Sequence, residues 1–147
     1  MNQKINITVR NFRAWQGTSV VFPYDHIVIG YRTPGLVYPP ITFSPWCRGH
    51  LEIPVHDTNP HAAWEGAVLF NREHAKQILD LVKKENENIY YIVCQCDAGI
   101  SRSSATAAAL SKIIYGTDEW VFAYKGYVPN THIYTTILKE YFENLEG

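Results

Sequence analysis

The stretch that most narrows what this chain can become runs from residue 89 to residue 115. It opens on Ile89-Tyr90-Tyr91-Ile92-Val93-Cys94, a short apolar run of the kind that forms a buried strand. It closes on an alanine-rich run, residues 104–115, whose composition favours a helix. Between them stands Cys96-Asp97-Ala98-Gly99-Ile100-Ser101-Arg102-Ser103, with one glycine in the loop and an arginine six positions after the cysteine. A tight strand-to-helix turn aims its backbone N–H groups inward, and the helix dipole adds partial positive charge there. Such a loop is an anion site, and phosphate is its commonest guest. A cysteine in that setting is favoured as the thiolate, the form that attacks.

These residues form a unit with a specific chemical logic. A Cys96 thiolate can attack phosphorus and form a cysteinyl-phosphate, which splits hydrolysis into two easier steps. Arg102, in the first turn of the expected helix, can fork onto two phosphate oxygens. Backbone N–H groups of Asp97, Ala98, Gly99, Ile100, Ser101 and Arg102 would bind the equatorial oxygens, a cradle for the transition-state charge. Gly99 allows a backbone conformation that a Cβ would obstruct. Ser103 can donate a hydrogen bond to the thiolate and help it leave in the second step.

The rest of the chain supplies a frame for this loop. Alternation predicts a strand over residues 4–10, with Ile5, Ile7 and Val9 on one face. Gln16-Gly17-Thr18 reads as a turn. Short strands are expected at 26–30 and 50–55, separated by a surface loop over 33–45 that holds Pro34, Pro39, Pro40 and Pro45. Asn71 is a candidate N-cap for an amphipathic helix reaching about Glu85, with Ala75, Ile78, Leu79 and Val82 on its apolar face. Gly116 suits the position just past the alanine-rich helix, Asp118 caps a short helix, and Thr131 begins a last one. Strands alternating with helices imply an α/β fold with a central, mostly parallel twisted sheet flanked by helices. Ligands of such sheets bind at the carboxyl ends of the strands, where the cysteine loop falls.

At 147 residues the chain is expected to form one domain, residues 1–147, with a core that needs no metal or disulfide brace. A net charge of −1 excludes a general nucleic-acid surface, which is strongly basic. No apolar stretch approaches the ~20 residues of a membrane span, so no membrane partner is expected. Three cysteines do not suggest a disulfide framework and fit a reducing, cytoplasmic setting.

Cys-x5-Arg-Ser between a buried strand and a helix resembles the phosphate loop of the protein tyrosine phosphatases. Gly99-Ile100-Ser101-Arg102-Ser103 is most similar to the dual-specificity branch. Leu51-Glu52-Ile53-Pro54-Val55-His56-Asp57 is similar to that branch's strand and general-acid loop, and the helix over 71–85 falls where the family has its intervening helix. The match runs from about His50 to Tyr115; the first 45 residues carry little recognisable signal. The resemblance implies a strand–phosphate loop–helix core, no cofactor, no metal, and a phosphorylated protein or peptide as substrate. It makes Asp57, 39 positions before Cys96, the candidate general acid. Asp97 is a rival carboxylate at a position that varies in the family.

One residue departs from the pattern. The family usually has histidine before the nucleophile, and this chain has Gln95, which offers less help in lowering a thiol pKa. The loop also lacks lysine, which leans toward a phosphoprotein or another modestly charged substrate over inositol phospholipids. Two alternatives stay open at this point. One is a phosphate-binding module with little turnover; the other is a phosphatase for RNA 5′ ends or small phosphorylated metabolites. Cys94, on the same side as Cys96, reads as a core cysteine with a protective disulfide as alternative, and a Cys47–Cys96 partnership is open. Cys47, His50, His56, His61, Cys94 and Cys96 match no standard zinc spacing. His56, His61 and Trp64 flank Asp57 as candidate pocket residues, Arg32 and Arg48 read as solvated arginines, and Asn130 as a helix cap.

Overall fold

A computed structural model describes residues 2–11 and 24–145. The turn expected at Gln16-Gly17-Thr18 lies outside them. Four strands, β1 (Asn6–Asn11), β2 (His26–Arg32), β3 (Cys47–Pro54) and β4 (Tyr91–Cys96), form one sheet in the order β1-β4-β2-β3. Every pairing among them is parallel. Parallel pairing has a direct consequence for the site. All four strands end on the same edge, so the segments after β1, β2 and β3 converge on the loop that follows β4.

Helices α1 (Arg72–Glu85), α2 (Arg102–Tyr115), α3 (Glu119–Phe122) and α4 (Thr131–Asn144) complete the described elements. Ile27, Ile29 and Tyr31 of β2 and Ile92, Cys94 and Cys96 of β4 stand at alternate positions and share one buried cluster with residues of all four helices. Alternation places them on one sheet face. Helix α2 is buried through most of its length, from Arg102 to Ser111. Its alanines make that possible, because small side chains let the helix lie close against the sheet. Val28, Val93 and Gln95 alternate onto the opposite face, where Ile41, Thr42, Phe43 and Ser44 of the proline-rich segment lie near Val28 and Gln95.

The boundaries follow from local chemistry. Asn71 accepts from the Glu73 and His74 N–H groups while His74 Nδ1 accepts from the Asn71 N–H, a reciprocal cap that fixes the start of α1. Ala75, Ile78 and Val82 are buried as the periodicity requires. Gly116 ends α2 in the left-handed region at φ 80°, its N–H bonded to the Lys112 carbonyl. Several edges differ from expectation. Strand β3 starts at Cys47, ahead of residue 50, because parallel pairing with β2 carries Cys47, Gly49 and His50 into the ladder. Strand β4 extends to Cys96 and helix α2 begins at Arg102, which leaves only residues 97–101 for the loop.

Candidate active site

Cys96 is the last residue of β4 and is 3% exposed. Its Sγ lies 3.0 Å from Ser103 Oγ in the first turn of α2. The five-residue loop between β4 and α2, residues 97–101, closes through Gly99, at φ +67°. A Cβ there would come within 2.9 Å of the Arg10 carbonyl carbon and the Asn11 nitrogen, both backbone atoms at the end of β1. Glycine is thus demanded twice, by the backbone angle and by the close approach of a neighbouring strand. The N–H groups of residues 98–103 donate to no described acceptor. Ser101, at the N-cap of α2, leaves the helix uncapped by its side chain. N–H groups left without a described partner at a helix N-terminus are an arrangement suited to an anion.

Arg102 is 5% exposed and fastened on two sides. Its Nη1 donates to the Val55 carbonyl at 2.7 Å, and its Nη2 to Asp97 Oδ2 at 3.1 Å. Behind it, Thr106 Oγ1 donates to the Arg102 carbonyl at 3.1 Å, which leaves the Tyr31 hydroxyl, 2.5 Å away, to donate to Thr106. Burial pushes the Tyr31 hydroxyl far above its ordinary pKa, so it stays a donor. The guanidinium is therefore held in one place by these contacts.

Asp57 follows the end of β3 and is exposed. Its Oδ1 accepts from Ser101 Oγ at 2.8 Å and from Asn130 Nδ2 at 2.9 Å. Asn130 is the helix cap that the sequence predicted, with Oδ1 accepting from the Ile133 N–H at 3.0 Å. It does more than cap. Its Nδ2 also donates to the Thr58 carbonyl at 3.0 Å, and its own N–H to the Ser101 carbonyl at 3.1 Å. Together with the Val128 N–H to Ile100 carbonyl bond, 3.0 Å, this joins the segment before α4 to both the cysteine loop and the Asp57 segment. Sequence reasoning missed this second role. The only signal was the amide itself, an acceptor at one end and two donors at the other.

Asp97 is half-buried and is not spare. Thr33 Oγ1 and the Tyr38 hydroxyl each donate to it at 2.6 Å, beside the Arg102 contact. Burial alone would raise its pKa, but the Thr33 and Tyr38 hydrogen bonds and the Arg102 charge outweigh it and hold the carboxyl below the usual range. Gln95 reaches the opposite face of the sheet, against Gly30, and does not share the Cys96 side.

The remaining candidates separate. Cys94 is fully buried, and burial together with Cys96 pushes its thiol far up. Cys47 corrects an expectation. His26 pairs with both Cys47 and Tyr91 at the start of their strands, and Cys96 lies five residues further along β4. That is about 16 Å of extended strand, so Cys47 cannot meet Cys96. His56 Nδ1 accepts from the Val68 N–H at 2.9 Å, and its ring meets the exposed Trp64 edge-on at 5.0 Å. Arg32 pairs with Glu52 at 2.7 Å and Arg48 with Asp25 at 3.5 Å, so neither is a free solvated cation. Among the described residues no three His, Cys, Asp or Glu side chains gather as a metal site, and no helix is long and apolar enough to cross a membrane.

No family profile matches the sequence, and no curated protein matches it at a significant level. Solved structures do match its shape. Human DUSP28 superposes with a TM-score of 0.60 over 99% of this chain and 95% of its own, at 15% identity. Human tyrosine phosphatase-like serine/threonine/tyrosine-interacting protein gives 0.64 over 96% and 93%, at 18% identity. At such identities the likeness establishes a shared fold.

Proposed function

We propose that this protein is a cysteine-dependent phosphomonoesterase of the tyrosine and dual-specificity kind, acting on phosphorylated protein or peptide. One observation carries the reading. A sulfur at a strand end lies 3.0 Å from a serine hydroxyl, followed by a loop whose N–H groups donate to no described acceptor and by a buried arginine fixed to Val55 and Asp97.

In the first step the Cys96 thiolate attacks phosphorus; an S–P bond forms as the bond to the leaving oxygen breaks. Loop N–H groups and Arg102 hold the three equatorial oxygens and take up the developing charge. Asp57, protonated, gives its proton to the leaving alkoxide or phenolate. Its Oδ1 is engaged by Ser101 and Asn130, which leaves Oδ2 to carry that proton. In the second step the Asp57 carboxylate takes a proton from water, the water oxygen bonds to phosphorus, and the S–P bond breaks. Ser103 Oγ donates to the departing thiolate, and inorganic phosphate leaves. No step needs a cofactor or metal.

Hydrolysis of an aryl phosphate by wild type, Cys96→Ser and Asp57→Asn tests this. Clear wild-type turnover is expected, lost in Cys96→Ser, with a smaller loss in Asp57→Asn that shrinks as the leaving group improves. Turnover that survives Cys96→Ser overturns the mechanism. Binding of a phosphopeptide without turnover would instead make the protein a phosphate-binding module.

A further inference from the structure

Within residues 97–101 the loop carries one charged side chain, and it is negative. Asp97 Oδ2 stands 3.1 Å from Nη2 of the arginine that would hold the phosphoryl group. A carboxylate there opposes an incoming phosphate, so a loosely held one would be expected to swing out to solvent. Instead it is fastened from outside the loop. Thr33-Pro34-Gly35-Leu36, just past β2, forms a turn with proline second, Gly35 third at φ +89°, and the Leu36 N–H bonded to the Thr33 carbonyl at 3.2 Å. These are the features of a type II turn. The Tyr38 hydroxyl accepts the Thr33 N–H at 2.8 Å, which aims its own proton at Asp97 Oδ1. Three donors converge on one carboxylate, one from this turn, one from Tyr38 just beyond it and one from Arg102.

We propose that Asp97 is a specificity-determining residue: its carboxylate, fixed against Arg102 by Thr33 and Tyr38, makes the site take ligands with a single phosphate and discriminate against those with a second phosphate nearby. This rests on the phosphatase reading above and narrows its substrate class. The favoured ligand is a singly phosphorylated peptide with neutral or basic neighbours. Inositol polyphosphates, nucleoside triphosphates and triphosphorylated RNA ends are disfavoured. The physical reason lies in the charge balance. Arg102 and Asp97 sum to zero, so attraction comes from backbone N–H groups and the helix N-terminus, which act at short range on one phosphoryl group. No cation of the loop is left for a second. Two further negative charges some 8 Å from the Asp97 carboxylate weaken binding on the order of tenfold.

The test is binding, so that it stands apart from turnover. Cys96→Ser protein, with Asp97 or with Asp97→Asn, is titrated with a phosphotyrosine peptide and with the same peptide carrying a phosphothreonine two residues earlier. Calorimetry at constant ionic strength reads the affinities. With Asp97 present the singly phosphorylated peptide should bind about tenfold tighter. In Asp97→Asn, which keeps the shape and removes the charge, both peptides should bind tighter and the preference should fall below about threefold. Equal or tighter binding of the doubly phosphorylated peptide to the Asp97 protein overturns the inference, and this arm needs no folded variant at position 97. A preference unchanged in a folded Asp97→Asn also overturns it while the phosphatase reading stands. If neither peptide binds and wild type has no turnover, the reading itself fails and the inference goes with it.

Discussion

Replacing Asn130 separates two jobs that its amide does at once. Oδ1 accepts the Ile133 N–H and caps α4, while Nδ2 donates to Asp57 Oδ1 and the Thr58 carbonyl. Serine can still cap but has no second donor reaching across to Asp57; alanine can do neither. Loss of the cap costs about 1 kcal/mol, and each lost cross-loop hydrogen bond about 1 kcal/mol more. Asn130→Ala should therefore lose about 3 kcal/mol of stability in urea denaturation, and Asn130→Ser about 2 kcal/mol. Activity should divide differently. Under the proposed mechanism Asp57 is the general acid, a role worth about 10²- to 10⁴-fold, and Asn130 supplies one of the two hydrogen bonds described on its carboxylate. Both variants should lose roughly tenfold in kcat on phenyl phosphate, equal to about 1.4 kcal/mol, and much less on an aryl phosphate whose leaving group needs no proton. Steady-state kinetics on the two substrates, with folded fraction checked by circular dichroism, gives the answer. If Asn130→Ser keeps wild-type kcat on phenyl phosphate, or loses equally on both substrates, Asn130 does not position Asp57.

Three further outcomes follow from the same geometry. Gly99→Ala should destabilise the fold by about 2–5 kcal/mol, combining the left-handed backbone cost with a Cβ forced against the end of β1; a loss under about 1 kcal/mol in denaturation would contradict the close approach. Tyr31 holds its proton more tightly folded than unfolded, so its contribution is complete below the unfolded pKa of about 10 and declines as pH rises above it. Tyr31→Phe should cost about 1 kcal/mol at neutral pH and flatten the alkaline fall in melting temperature. Asp97 is shifted the other way, so its contribution is present above the unfolded pKa of about 4 and is lost as pH drops through the lower folded value. Asp97→Asn should accordingly flatten the acid limb of the stability curve below about pH 4, and an unchanged acid limb would contradict its ion pair with Arg102.

Much of the architecture could be read in the residues because it depends on local spacing. The face of α1, the Asn71 and Asn130 caps and the Gly116 stop each need only a few neighbouring positions. Boundaries slipped where pairing decided them, as at Cys47, drawn into β3 by its partner strand. Contacts between distant segments were less accessible. Asp57 could be placed near Cys96 through resemblance alone, and nothing in the spacing of Thr33, Tyr38 and Asp97 announces that they meet.

The sequence by itself determined the local arrangement of residues 96–103, since a strand, a short loop with Gly99 and an alanine-rich helix confine the sulfur, the serine and the arginine to one short stretch of chain. Tertiary structure decided what surrounds that stretch. Four parallel strands end on one edge and bring Val55, Asp57, Thr33 and Tyr38 to the loop from positions up to 64 residues away in the chain, and the segment before α4 brings Asn130. Local propensity cannot encode such meetings, because they exist only once sheet order and register are set. The same register carried Cys47 to the far end of the sheet and turned Gln95 onto its other face.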